Sequence, residues 1–283
     1  MIELKNISYS YTANSSENTV ALMNINLKIN KGEFIGIAGH TGSGKTTVAQ
    51  ILAGLINPTS GVISVEGREF SDYKEAARAL RNKVGIVFQY PEHQIFEETV
   101  YRDIAFGPKN KGLSEAETDE CVRKSARLAH LKEELFDKSP FELSGGQKRR
   151  VAIAGVLATS PEVLILDEPA AGLDPSGRER LLGELHRIRK EEGTTIVLIS
   201  HSMEDLAQNA ERIILLNKGE KYKDAPVCEV FRDSSLLRKC SLELPEITRI
   251  IKLLNEGGME LPENIFTVED AQAAICKALG VEK

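Results

Sequence analysis

The chain has 283 residues, with 36 lysines and arginines against 42 aspartates and glutamates, a formal charge of −6 that argues against a bulk polyanion such as DNA as the main partner. At this length roughly three quarters of the unfolded surface can be buried, so neither metal nor disulfide is needed to hold a core. The four cysteines (Cys121, Cys228, Cys240, Cys276) form no C-x-x-C pair and read as reduced, packed thiols of a cytoplasmic protein. The polar, alternating start "MIELKNISYSY" is not the pattern of a signal peptide, and no apolar run approaches the roughly 20 residues of a membrane helix.

Three early segments alternate with period two, "IELKNISYSYT" (2–12), "ALMNINLKI" (21–29) and "GVISVEG" (61–67), and predict antiparallel strands. Four later runs are continuously apolar: "FIGIAG" (34–39), "KVGIVFQ" (83–89), "EVLILDEP" (162–169) and "TTIVLISH" (194–201). That pattern suits parallel strands covered on both faces. Helical periodicity follows three of them, at about 45–55, 175–191 and 203–209. Residues 92–160 are helical in pattern and read as an insertion between two strands, and "RIILLNKGEKY" (212–222) reads as a hairpin turning at Asn217-Lys218-Gly219. Past about 235, two short amphipathic helices split by Gly257-Gly258 suggest a separate unit over 236–283.

Between the first apolar strand and its helix stands "GHTGSGKT", a match to G-x-x-x-x-G-K-[ST] in the context that pattern requires. Its glycines, Gly39, Gly42 and Gly44, let successive N–H groups turn inward on phosphate oxygens, with Ser43 and Thr41 in the same curve. Lys45 supplies a point charge for β- and γ-phosphates, Thr46 a hydroxyl for Mg²⁺, and Thr47 extends the same helical turn. His40 occupies a position in the loop with no required chemistry. This much marks a nucleotide-binding P-loop protein.

Polar residues then gather at strand ends, the edge where open α/β sheets bind ligands. Asp167 is placed to hold Mg²⁺ and Glu168 to orient or deprotonate a water. Gln89 ends another apolar run within reach of the metal or its water, and His201 ends a third within reach of a γ-phosphate. The remaining histidines, His93, His130 and His186, have no metal-ligand spacing.

A second Gly-rich corner, "LSGGQ" (Leu143–Gln147), opens the helical pattern "QKRRVAIAGVLA". Ser144, Gly145, Gly146 and Gln147 make another helix N-terminus suited to an anion, yet no lysine, metal ligand or base accompanies it. A phosphate site without its own catalytic set is best explained if it closes over a nucleotide held elsewhere.

With Gln89, "LSGGQ", "LILDE", "AGLD" (171–174) and His201 in that order, residues 1 to about 230 closely resemble an ATP-binding cassette (ABC) ATPase. The resemblance implies an α/β P-loop fold with a mixed core sheet, an antiparallel β subdomain, a helical insertion and a small helical extension. It implies a head-to-tail dimer, of the chain with itself or a paralogue, in which Ser144 and Gly146 of one subunit bind the γ-phosphate of ATP on the other's P-loop. Asp174 would communicate across that interface, and Tyr11 would stack on the adenine, with Tyr9 as its rival.

The stretch "FQYPEHQIFEETVYRDIAFGPKN" (88–110), with the C-terminal extension, is most similar to the second of two paralogous ATPases of energy-coupling factor (ECF) transporters. That implies a transmembrane coupling subunit, a substrate-binding membrane subunit for a vitamin or transition-metal ion, and a place on the cytoplasmic face of the membrane. Glu92, Gln94 and Phe96 are the candidate docking residues, and the extension would strengthen dimerisation. The alternative within the same enzyme class is the ATPase of an ordinary ABC importer or exporter. Soluble cassettes of DNA repair or translation insert long coiled coils or carry two cassettes, and this sequence has neither. Glu168 and His201 together argue against a non-hydrolysing regulatory cassette.

Overall fold

A computed structural model of the chain describes residues 1–12 and 18–280. The N-terminal strands β1 (Ile2–Thr12) and β2 (Asn18–Ile29) pair antiparallel, and β3 (Phe34–Ala38) leads through the glycine loop into α1 (Lys45–Leu52). Next come β4 (Ser60–Val65), β5 (Arg68–Phe70), α2 (Tyr73–Arg81) and β6 (Val84–Val87). The helices α3 (Val100–Asn110), α4 (Glu115–Leu128) and α5 (Gly145–Leu157) intervene before β7 (Val163–Asp167). Then follow α6 (Pro175–Glu192), β8 (Thr195–Ile199), α7 (Met203–Asn209) and the hairpin β9 (Arg212–Asn217) and β10 (Glu220–Pro226). Four helices close the chain: α8 (Val227–Arg232), α9 (Ser234–Lys239), α10 (Glu246–Glu256) and α11 (Val268–Ala278).

Two sheets result. The alternating strands form an antiparallel sheet in the order β2-β1-β4-β5, and the apolar runs form a second sheet in the order β10-β9-β3-β8-β7-β6, parallel except for β10. Every residue of β3, β7 and β8 is buried, as continuous hydrophobicity predicts for strands covered on both faces. The two layers of core follow from this. One cluster lies between the sheets and includes Ile25, Ile37, Ile51 and Leu52; the other, including Phe34, Leu164, Leu198 and Val151, joins the central sheet to the helices. Each such side chain taken fully from water contributes about 1.5–3 kcal/mol, before the chain entropy that opposes it.

The predicted strands, the helices at 175–191 and 203–209, the helical insertion and the hairpin are all present, with ends shifted by a few residues. Four elements were not legible: β5, α2, α8 and α9. Helix α2 buries only Ala76, Ala77 and Leu80 among four charged residues, so its apolar stripe is narrow. The insertion sits between neighbouring strands, since β6 pairs directly with β7. Helix α9 spans the 235/236 position where the sequence pattern changes, and Leu237, Cys240 and Leu242 pack in the same cluster as the central sheet. Helices α10 and α11 hold a small cluster of their own, with Ile251, Leu261, Ile265 and Ala271 buried.

Parallel order has one consequence for function. Because β3, β8, β7 and β6 all run the same way, the segments leaving their C-terminal ends emerge along one edge.

Candidate functional site

That edge is a cleft of about 780 Å³ whose lining includes Gly39, His40, Thr41, Gly42, Lys45, Thr46, Gln89, Asp167, Glu168 and His201. Four strand ends spread between Gly39 and His201 in sequence thus converge, as the motifs require.

The loop from β3 to α1 is shaped by its glycines. Gly44 has φ +102, and a Cβ there would lie 2.6 Å from Leu22 Cδ2; at Gly39, with φ +158, it would lie 2.3 Å from the Leu216 carbonyl oxygen. Side chains are excluded on both flanks, so only bare backbone fits. Lys45 Nζ folds back and donates to the carbonyls of Gly39 (2.8 Å) and His40 (3.0 Å). Burial lowers the proton affinity of this ammonium, and the Glu168 and Asp167 carboxylates act the other way. Ser43 is fully buried, and among the described residues its Oγ has no hydrogen-bond partner. That hydroxyl is shut away from solvent, and Ser43 is not among the cleft-lining residues.

Thr46 Oγ1 donates to Asp167 Oδ2 at 2.8 Å. Asp167 is buried at the end of β7, where desolvation raises its pKa while the Thr46 bond and Lys45 oppose the rise. A hydroxyl and a carboxylate meeting at the mouth of a phosphate cradle form an oxygen donor set, the kind Mg²⁺ takes together with phosphate and water. Among the described residues no cluster of three or more His, Cys, Asp or Glu could hold a metal by itself.

Glu168 follows Asp167 with φ 52, a left-handed conformation that costs a non-glycine residue about 1–2 kcal/mol. The turn aims its carboxylate across the cleft, where Oε2 lies 2.7 Å from His201 Nδ1. Burial pushes the Glu168 pKa up, and the charge and hydrogen bond of His201 pull it back. His201 itself is largely exposed, so the pair joins a half-buried acid to an open imidazole. Gln89 lies two residues beyond the end of β6 and is exposed at the cleft wall.

Other predicted residues stand outside the cleft. Thr47 is buried, and its Oγ1 lies 3.2 Å from Tyr11 Oη, which places Tyr11 beside the first turn of α1 with 43 % of its surface exposed. Tyr9 is half-buried against the core between the sheets and meets Tyr11 edge-on at 4.8 Å, so Tyr11 has the open ring. Ser144 caps α5 in a reciprocal box: its Oγ accepts from Gln147 N–H, and Gln147 Oε1 accepts from Ser144 N–H. Ser144, Gly145 and Gly146 are exposed and do not line the cleft of their own chain. A Cβ at either glycine would meet nothing within 4 Å. Asp174 caps α6, its Oδ1 accepting from Gly177 N–H at 2.7 Å.

Sequence reasoning missed two contributors. Glu204, in the first turn of α7, lines the cleft, and so does the segment Ser241–Leu244, which returns from the far end of the chain. Only the fold brings that segment near; no local signal marks it. His40 is tied in as well, with Nε2 3.1 Å from Asn217 Oδ1 at the end of β9.

Comparison with known proteins agrees with this geometry. The family model described as "ABC transporter" matches residues 22–171. The chain is 48% identical over 279 residues to the energy-coupling factor transporter ATP-binding protein EcfA2 of Clostridium perfringens, covering 98% of each chain. It is 47% identical over 283 residues to the protein of the same name from Clostridium acetobutylicum, covering 100% of this chain and 99% of that one. Among solved structures, cbiO1 from Clostridium perfringens, part of the ABC transporter complex cbiONQ, superposes with a TM-score of 0.73 at 37% identity, over 89% of this chain and 98% of the other. A dimeric ATP-binding cassette in a post-hydrolysis state with ADP and Pi superposes with a TM-score of 0.71 at 32% identity, over 80% of this chain and 99% of the other. Likeness of this degree along nearly the full length places the chain in the ABC transporter family of ATPases, among the energy-coupling factor ATP-binding proteins.

Proposed function

We propose that this chain is the ATP-hydrolysing subunit of an energy-coupling factor transporter and works as one half of a head-to-tail pair, with itself or a paralogue. One observation carries the pairing. Gly145 and Gly146 stand exposed at the start of α5 with open space where a side chain would go, so nothing in their own chain requires glycine. The requirement comes from outside, and a partner's triphosphate approaching the N–H groups of a helix start supplies it.

In this reading the glycine loop and Lys45 grip the β- and γ-phosphates, and Tyr11 offers its open ring to the adenine. Thr46, Gln89 and Asp167 would hold Mg²⁺, which when bound neutralises charge on the phosphate oxygens. Glu168, held by His201 and made more basic by burial, takes the proton of the attacking water; a positioned base of this kind contributes roughly 10²- to 10⁴-fold. Ser144 and Gly146 of the partner close on the γ-phosphate, and Asp174 lies in the turn that faces them. Hydrolysis would thereby follow closure and power the uptake of a vitamin or transition-metal ion.

Among the described residues no helix is long and apolar enough to cross a membrane, so the membrane steps fall to other polypeptides: a transmembrane coupling subunit and a substrate-binding subunit. Phe96, 64 % exposed and edge-on to Phe106, with Glu92 and Gln94 in the adjoining turn, forms the surface proposed to receive the coupling subunit at the cytoplasmic face. Residues 236–283, with their own small cluster, are the proposed reinforcement of the pair.

Two measurements test this. A crystal of the Glu168→Gln variant loaded with ATP is expected to show Ser144 of one protomer within hydrogen-bonding distance of the γ-phosphate on the other; a Ser144 corner facing solvent would refute the shared site. The chain purified from solubilised membranes is expected to bring a polytopic coupling protein with it, and its recovery alone would refute the transporter assignment.

A further inference from the structure

Arg149 lies on α5, just past the Ser144 corner, and is 7 % exposed. A guanidinium so deeply placed needs partners, and this one reaches two loops. Its Nη2 donates to the Ala171 carbonyl at 3.1 Å. Its Nε lies 3.5 Å from Glu92 Oε2, in the 3-10 turn Pro91–Gln94 that follows Gln89. The second contact is unfinished: among the described residues neither Glu92 Oε2 nor Arg149 Nη1 has a hydrogen-bond partner.

Ala171 connects this side chain to the chemistry. Its N–H donates to the Glu168 carbonyl at 3.1 Å, closing the turn that holds Glu168 in its left-handed conformation. Glu92, Arg149, Ala171 and Glu168 therefore make a continuous chain from the loop after Gln89 to the carboxylate that meets His201. The weak link is the ion pair at its head. Buried charges left without hydrogen bonds are costly, and a shift of a few tenths of an ångström between the 3-10 turn and α5 would complete the bond. A completed bond would clamp both ends of the guanidinium.

Resting on the proposed role of Glu168, we propose that Arg149 is a positioning residue for hydrolysis: through Ala171 it sets the turn that aims Glu168, and through Glu92 it makes that aim depend on the loop after Gln89. Lysine cannot replace it, because a single ammonium has no planar fork to hold a carbonyl and a carboxylate at once.

The test uses the full-length chain in its membrane-derived complex, comparing Arg149→Lys, Glu92→Gln and the double variant. Misplacing a reactive group by about 1 Å costs up to roughly 100-fold, so Arg149→Lys is expected to lower kcat by about 10- to 100-fold while KM for ATP stays within about twofold. Glu92→Gln, which keeps shape and removes charge, is expected to lower kcat less, and the double variant to be no slower than Arg149→Lys alone. Wild-type kcat in both single variants, losses that multiply in the double variant, or a rise in KM matching the loss in kcat would each overturn the inference. Glu168→Gln run alongside separates the two readings. If it keeps normal turnover, the role of Glu168 falls; if it is inactive while both single variants are normal, only Arg149 falls.

Discussion

Glu168 Oε2 and His201 Nδ1 stand 2.7 Å apart across the cleft, joining the turn after β7 to the turn after β8. The pair is set by the parallel register that places Asp167 beside Ile199. Replacing Glu168 by Gln keeps the shape and removes the proposed base. Turnover is expected to fall by at least about 100-fold while ATP binding survives; single-turnover kinetics beside a nucleotide-binding titration check this.

Thr46→Val removes a hydroxyl that holds Asp167 and that, in the proposed function, helps to hold Mg²⁺. The affinity for ATP measured with Mg²⁺ is expected to drop roughly tenfold or more. Affinity measured with ATP and a chelator should be nearly unchanged. Calorimetric titrations under the two conditions give the contrast, and equal losses in both would remove Thr46 from the metal site.

The two glycine corners should respond oppositely to alanine. Gly44→Ala forces a Cβ against Leu22 at a φ of +102, so thermal stability and nucleotide binding are expected to fall together. Gly146→Ala meets nothing in its own chain and improves helix propensity by up to about 1 kcal/mol. Its Tm is expected to hold or rise while ATPase activity drops. Ser144→Arg should likewise leave ATP binding intact and stop turnover.

Glu184 on α6 is 7 % exposed, and burial raises its pKa against the pull of Arg150, Arg187 and Arg180. A raised carboxyl pKa means the folded state prefers the protonated form, so the ionised side chain costs stability above its folded pKa. Glu184→Gln removes that cost. The variant is expected to melt higher than the parent at neutral pH, and the gap to shrink as pH falls through the raised pKa toward the ordinary carboxyl range. Melting curves across pH measure it; a gap that widens in acid would reverse the sign.

Much of this site was legible because its parts are local signals repeated at strand ends. The run "VLILD" announces a buried strand, and the charged residues at its end have nowhere to go but the sheet edge. The glycine loop is specified by spacing alone. What stayed hidden depends on tertiary proximity. Ser241–Leu244 joins the cleft only because α8 and α9 carry the chain back to it, and their short helices have little periodicity to read. Arg149 reads as one more cation in "QKRR", and only burial separates it from its neighbours. Tyr9 and Tyr11, two residues apart, are not separated by the strand's alternation, and only the fold shows Tyr9 against the core and Tyr11 exposed.

The turn of the β9–β10 hairpin, with Lys218 and Gly219 both at positive φ, touches more than its own strands. Gly219 N–H donates to the Ser43 carbonyl, and its carbonyl accepts from Met23 N–H, so one residue staples the phosphate loop to the antiparallel sheet. Synthesis reaches Gly219 long after the loop has left the ribosome. A nascent chain shorter than this leaves Ser43 O and Met23 N–H without these partners, so the nucleotide cradle matures late in translation, when the hairpin arrives to lock it.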